Sequence, residues 1–198
     1  MKIALKMIFQ GESLKSLGYV KNVKMTFSRR VNKMNELNCF DIDDTIVSSD
    51  FPALTQKAEI QTLKQKILNT PLNSDFVEYY KLFSHITGVK SYFITGRRKK
   101  DFFQETLAQL EILNLAPEQI IFFPDNYKHS KIRYRMFKIY HIIRLANKHK
   151  GSNLYVYDDN NSYYAQLFDY GLCYNIPYMR FYLVKNHEDF WNRKLREL

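Results

Sequence analysis

The chain has 198 residues, 45% of them hydrophobic and 16% aromatic, enough for one domain with a proper core and too apolar for a disordered segment. Two cysteines, Cys39 and Cys173, exclude a disulfide framework, and no stretch approaches the roughly 18 uninterrupted apolar residues of a membrane span. The net charge of +10 is concentrated: residues 1–37 hold eight basic residues against Glu12 and Glu36, residues 126–150 hold eight with no acid, and the remainder is acidic on balance.

Residues 1–36 read as a basic N-terminal extension ahead of a domain spanning 37–198. Lys2 and Lys6 interrupt any apolar signal core, so the start does not resemble a secretory signal, and secretion is not expected. Basic, serine-containing and poor in acid, the extension is similar in composition to an organellar transit segment, which leaves a cytoplasmic or organellar, including mitochondrial, location. Loose alternation over 2–9 and 19–28, with Gly11 and Gly18 between, predicts a hairpin-like arm.

From Leu37 a short apolar run leads into Asp41, Asp43 and Asp44, with Cys39 placed as a buried thiol in a central strand. Asp41 and Asp43 alternate by two, so a strand continuing through them points both to one side at its C-terminal edge. Like charges there repel unless a cation or a reacting phosphate lies between them, although Asp-Asp-Thr could equally cap a helix. Helices are predicted over 54–69 and 76–86, the latter stopped by Gly88, then a strand over 90–95 ending in Thr95 and Gly96. Arg97, Arg98, Lys99 and Lys100 follow at the rim where a phosphate-bearing substrate would enter.

Further on come a helix over 101–114, a strand over 119–123 and a long helix over 130–148, with Ile132, Met136, Ile139, Ile143 and Ala146 expected inward. Lys131, Arg135 and Lys138 share one face of it by spacing. A strand over 153–158 ends in the pair Asp158 and Asp159. A helix over 161–170, ended by Gly171, and a strand over 179–184 complete the pattern.

Three strands that each deliver polar chemistry at the C-terminal end predict an α/β, doubly wound, Rossmann-like parallel sheet. Asp41, Asp43, Thr45, Thr95 and the pair Asp158 and Asp159, in that order, resemble the signature of the haloacid dehalogenase-like (HAD) phosphohydrolases across roughly residues 37–185. The acid pair is similar to that of the polynucleotide kinase phosphatase and related RNA-repair domains. Only two predicted helices separate Thr45 from Ser91 and one separates Gly96 from Gln119, which leaves little room for the cap domains of the family. By resemblance, capless members have open sites and tend to take large substrates.

The resemblance implies a magnesium-dependent phosphatase. Asp41 would be the nucleophile that forms an aspartyl phosphate, and Asp43 the acid and then base. Thr95 would bind a phosphate oxygen, helped by the backbone at Gly96. Magnesium would take Asp41, the Asp43 carbonyl and Asp159, with Asp158 in support. The family's lysine precedes the acid pair by about twenty residues, which selects Lys138 over Lys131 and Lys128. Thr45, Gly96, Arg97 and Lys131 are the expected substrate contacts.

Basic clusters near such a site favour a nucleic-acid end, RNA or DNA, as substrate. Tyrosines 127, 134, 155, 157, 163 and 164 are stacking candidates, most of them more simply core or ordinary surface. Two competitors stand beside this reading: a lipid or protein phosphatase of the same superfamily, and a non-catalytic subunit anchored by its basic arm in a ribonucleoprotein such as a mitochondrial ribosome.

Overall fold

A computed structural model describes residues 35–47, 57–70, 73–127, 130–176 and 178–197. The expected N-terminal hairpin lies outside the described residues. Five strands, β1 (Glu36–Phe40), β2 (Val89–Arg98), β3 (Gln119–Phe123), β4 (Asn153–Asp158) and β5 (Met179–Leu183), form one sheet in the order β3-β2-β1-β4-β5. Every pairing is parallel. The chain runs outward from β1 through β2 to β3, then returns to lay β4 against the other side of β1. That reversal opens a crevice at the carboxyl ends of β1 and β4, where open α/β sheets place their ligands.

Strand periodicity divides the core. Phe40, Phe93 and Tyr157 face one way and are covered by α2 (Ser74–Ser84), the end of α3 (Lys99–Ile112) and α6 (His187–Glu197). Leu37, Cys39 and Val156 face the other way, under α4 (Lys131–Lys148) and α5 (Tyr164–Cys173). A remaining helix, α1 (Lys57–Asn69), packs on α3 through Leu63, Ile67 and Phe102. Cys39 is buried as expected, and burial pushes its thiol up to about 12. Among the described residues no helix is long and apolar enough to cross a membrane.

Three local expectations are corrected. Strand β1 ends at Phe40, so the alternation argument does not reach Asp43; a tight turn over residues 42–47 carries it instead, with Asp44 at φ 55°. The inward face of α4 was misplaced at its start, since Ile132 is 72% exposed and Met136 44%. Ile139 and Ile143 are buried, but Phe137, Lys138, Ile142 and Leu145 complete the buried face, because the first turn of α4 projects past the sheet. Gly171 does not stop α5, which continues to Cys173; its missing Cβ instead admits Met179, whose Cε would lie 3.1 Å from it.

Helix α6 is an element that the apolar pattern did not predict. It brings Trp191, fully buried, against Phe40 and Phe76, and its Nε1 donates to the Thr45 carbonyl at 2.7 Å. Trp191→Phe keeps most of the packing but leaves that buried carbonyl without its donor. It is expected to cost about 1–3 kcal/mol in urea unfolding.

Candidate active site

Asp41 follows β1 directly, and its N–H still donates to the Tyr157 carbonyl at 2.9 Å, which fixes it at the mouth of the β1–β4 crevice. Its side chain is buried, and Oδ1 lies 2.6 Å from Lys138 Nζ. This is a charge contact without regular hydrogen-bond geometry, so the oxygen retains acceptor capacity. The same ammonium donates to Asp158 Oδ2 at 2.7 Å. Lys138 is 1% exposed, which overturns any reading of it as part of a solvated helix face.

Asp158 receives three donors. Besides Lys138, its Oδ2 accepts the Tyr163 hydroxyl at 2.6 Å, and its Oδ1 accepts the Asn160 N–H at 2.9 Å. Asp159 is exposed as a residue, but a carboxylate oxygen from each of Asp41, Asp158 and Asp159 lies within 4.8 Å of the others. Lost hydration in that cluster, then the charge of Asp158, raise Asp159 to about 7. Burial, against the pull of Lys138, and then the three neighbouring acids hold Asp41 well above the usual carboxylate range. Burial alone would lower Lys138; Asp158 and Asp41 outweigh it and hold the lysine well above its ordinary value.

Asp43 is gripped from the opposite strand. Arg97 Nε donates to both carboxylate oxygens at 3.2 and 3.1 Å, and its Nη2 to Oδ1 at 2.6 Å. Nη1 turns to Thr106 and Gln109, at 3.2 and 2.9 Å, and Gln109 donates in turn to the Ile67 carbonyl. Arg97 is therefore buried in a network rather than standing open at the rim. Thr95 is also buried; its Oγ1 accepts the Arg97 N–H at 3.1 Å, which leaves its own O–H to donate elsewhere. Gly96 is required sterically, because a Cβ there would meet Tyr134 Cε2 at 2.9 Å, and the Tyr134 ring also lies 5.2 Å under Lys138 Nζ.

Thr45 ties the two central loops together: its hydroxyl accepts the Asp159 N–H at 3.0 Å. Asp41, Asp43, Thr45, Thr95, Gly96, Arg97, Lys138, Asp158 and Asp159 thus all converge on the carboxyl ends of β1, β2 and β4. Lys131 stands apart, exposed on the first turn of α4, roughly 10 Å along the helix from Lys138. Lys128 lies outside the described residues. Residues the sequence reading did not place in the site are Thr106, Gln109 and Trp191, together with Tyr134 and Tyr163, named there only as stacking candidates.

No protein-family model matches the chain, and none of the curated proteins matches it. Among solved structures, the HAD domain of the effector protein Lem4 from Legionella pneumophila superposes with a TM-score of 0.54 at 14% identity, covering 82% of this chain and 93% of that one. Two structures of a Pnkp1/Rnl/Hen1 RNA repair complex match at a TM-score of 0.47, with 14% and 16% identity. They cover 83% and 82% of this chain and 51% and 47% of theirs. The described chain has the fold of a HAD domain.

Proposed function

We propose that this chain is a magnesium-dependent phosphomonoester hydrolase working through an aspartyl phosphate, with the phosphorylated end of a nucleic acid as substrate. The observation that carries this reading is the buried Lys138 ammonium shared between Asp41 and Asp158, with Asp159 beside them. Such an arrangement supplies a nucleophilic carboxylate, a countercharge and hard oxygen ligands at one strand edge.

The donor set fits magnesium: three carboxylates converge, and Asp41 Oδ1 is buried without a hydrogen-bond donor. Asp41, Asp159 and the Asp43 carbonyl would hold the ion, which when bound supplies positive charge beside the phosphate. Because Asp158 already receives three donors, its part is to hold Lys138 rather than to ligate.

In the first step a carboxylate oxygen of Asp41 attacks phosphorus, the bond from phosphorus to the ester oxygen breaks, and Asp43 gives its proton to that oxygen. In the second, water attacks phosphorus, loses its proton to Asp43 and releases Asp41 with inorganic phosphate. Both oxygens of Asp43 accept from Arg97, so carrying the proton means trading one of those N–H contacts for its own O–H. Lys138 orients Asp41, and the Thr95 hydroxyl and the backbone at Gly96 bind phosphate oxygens.

Basic residues at 98–100 and along α4 favour a polyanionic substrate. The test is phosphate release from 3′- and 5′-phosphorylated oligonucleotides and from p-nitrophenyl phosphate, with magnesium and with EDTA. Magnesium-dependent turnover that favours one oligonucleotide end is expected. No turnover of any of the three by the folded protein would overturn the enzyme reading in favour of a non-catalytic subunit.

A further inference from the structure

The charge around the candidate site is lopsided. Strand β2 pairs with β3 up to Arg98 opposite Phe123, so Lys99 and Lys100 leave the sheet beside residues 124–127. The Lys100 N–H donates to Asp125 Oδ1 at 3.0 Å, which ties the start of α3 to the loop before α4. Lys99, Lys100, Lys131 and Arg133 are all exposed along this seam. Arg98 is spoken for by Asp101 at 2.6 Å.

Across the crevice the surface differs. From Asp159 to Ile176 there is no lysine or arginine, and the exposed residues that follow β4 are Asp159, Asn161 and Ser162. Beyond β5, Lys185 is followed by Glu188 and Asp189 in the first turn of α6. Among the described residues, a polyanion with its end at Asp41 is drawn toward β2 and β3, and beyond β4 and β5 it meets Lys185 with Glu188 and Asp189 close behind.

The seam also offers a ring. Tyr127 is 51% exposed, and the Arg133 guanidinium lies 5.8 Å from its centroid, so a flat aromatic surface and a planar cation adjoin each other. Tyr134, next to Arg133 in α4, reaches back to Gly96 and Lys138 and joins the seam to the reacting centre. Basic side chains interleaved with an open ring are what unpaired nucleotides bind: the cations track the backbone, and the ring stacks on a base whose face is free. A base inside a duplex is stacked on both faces and cannot present one.

Resting on the hydrolase reading above, we infer that the substrate is single-stranded at its phosphorylated end and leaves the site over the β2–β3 side. Tyr127 stacks on a base, Arg133 flanks it, and Lys99, Lys100 and Lys131 contact the backbone. Tyr127 and Arg133 then set a preference for unpaired ends without touching the reacting phosphate.

The experiment compares wild type, Tyr127→Ala, Tyr127→Phe and Lys131→Gln on a single-stranded phosphorylated oligonucleotide, a blunt duplex with the same end, and p-nitrophenyl phosphate. Losing one stacked base raises KM for the single strand roughly 5- to 150-fold in Tyr127→Ala. Tyr127→Phe, which keeps the ring, stays near wild type, and p-nitrophenyl phosphate turnover is unchanged in both Tyr127 variants. Lys131→Gln lowers the salt dependence of oligonucleotide binding by about one counterion.

An unchanged KM in Tyr127→Ala would overturn the inference, as would equal turnover of the blunt duplex or displacement of the oligonucleotide by phosphatidylserine vesicles. Fluorescence anisotropy of the same oligonucleotides on the same variants needs no catalysis. If none of these substrates is hydrolysed the enzyme reading fails by itself, while the binding data still decide the path of the strand.

Discussion

Asp41→Asn is expected to abolish phosphate release, by about 10⁴-fold or more, and at the same time to stabilise the metal-free protein. The two effects share one cause. The Asp41 carboxyl is buried, and burial together with Asp158, Asp43 and Asp159 raises its pKa well above the unfolded value despite Lys138. A carboxyl with a raised folded-state pKa stabilises the fold fully below its unfolded pKa, and that contribution is lost as pH rises through the folded value. Ionising Asp41 in the wild type therefore places a charge in a crowded acidic pocket. Asparagine has nearly the same shape and no charge. In EDTA at pH 7.5 the variant should melt about 2–8 °C higher, corresponding to about 1–2 kcal/mol for a chain of this size. The gain should shrink toward pH 4, where wild-type Asp41 is protonated. Thermal melts from pH 4 to 8 decide it: a variant that is less stable at every pH would mean that Lys138 outweighs burial and the three acids.

The strands were legible because strand edges in this sheet coincide with changes of chemistry. Gln119–Phe123 is a compact apolar run, and Asn153–Asp158 ends on its acids. The acids themselves were legible because burying several carboxylates in one crevice demands short spacing after a strand. Lys138 was found by its distance from Asp158, yet its burial could not be read from α4, whose pattern offers Ile132 and Met136 as equally good inward residues. The ion pair and Phe137 choose the rotation of that helix, and both are tertiary. Arg97 is the sharper case. As one of four consecutive basic residues it reads as solvated rim, and what buries it is Thr106 and Gln109, a turn apart on α3, together with Asp43 from the turn after β1. Nothing local in Gln109 distinguishes a buried acceptor from a surface glutamine. Helix α6 escaped for a related reason: Phe190, Trp191 and Leu195 are few among charged neighbours, and only the cleft left by α2 and the sheet makes them a face.

Lys138→Met is expected to be the most destabilising single change in the site, by about 3–5 kcal/mol at pH 7.5, and to reduce phosphate release by about 10²- to 10³-fold. Methionine fills most of the volume of a side chain that is 1% exposed, so the cost is electrostatic rather than a cavity. It leaves Asp41 and Asp158 buried without the shared cation. Asp158 keeps the Tyr163 hydroxyl and the Asn160 N–H, whereas Asp41 Oδ1 has nothing in their place. Protonation of Asp41 relieves the strain, so the penalty should fall as pH is lowered. Lys138→Met combined with Asp158→Asn should recover part of the stability, and a double-mutant cycle by urea unfolding measures the coupling. Lys138→Arg should not rescue, because a planar guanidinium cannot set one nitrogen between two carboxylates while its plane lies against the Tyr134 ring. Additive losses in the cycle would mean that the ammonium is not shared between Asp41 and Asp158. Wild-type stability in Lys138→Met would transfer the lysine's part to Lys131, on the first turn of the same helix, or to Lys128, which lies outside the described residues.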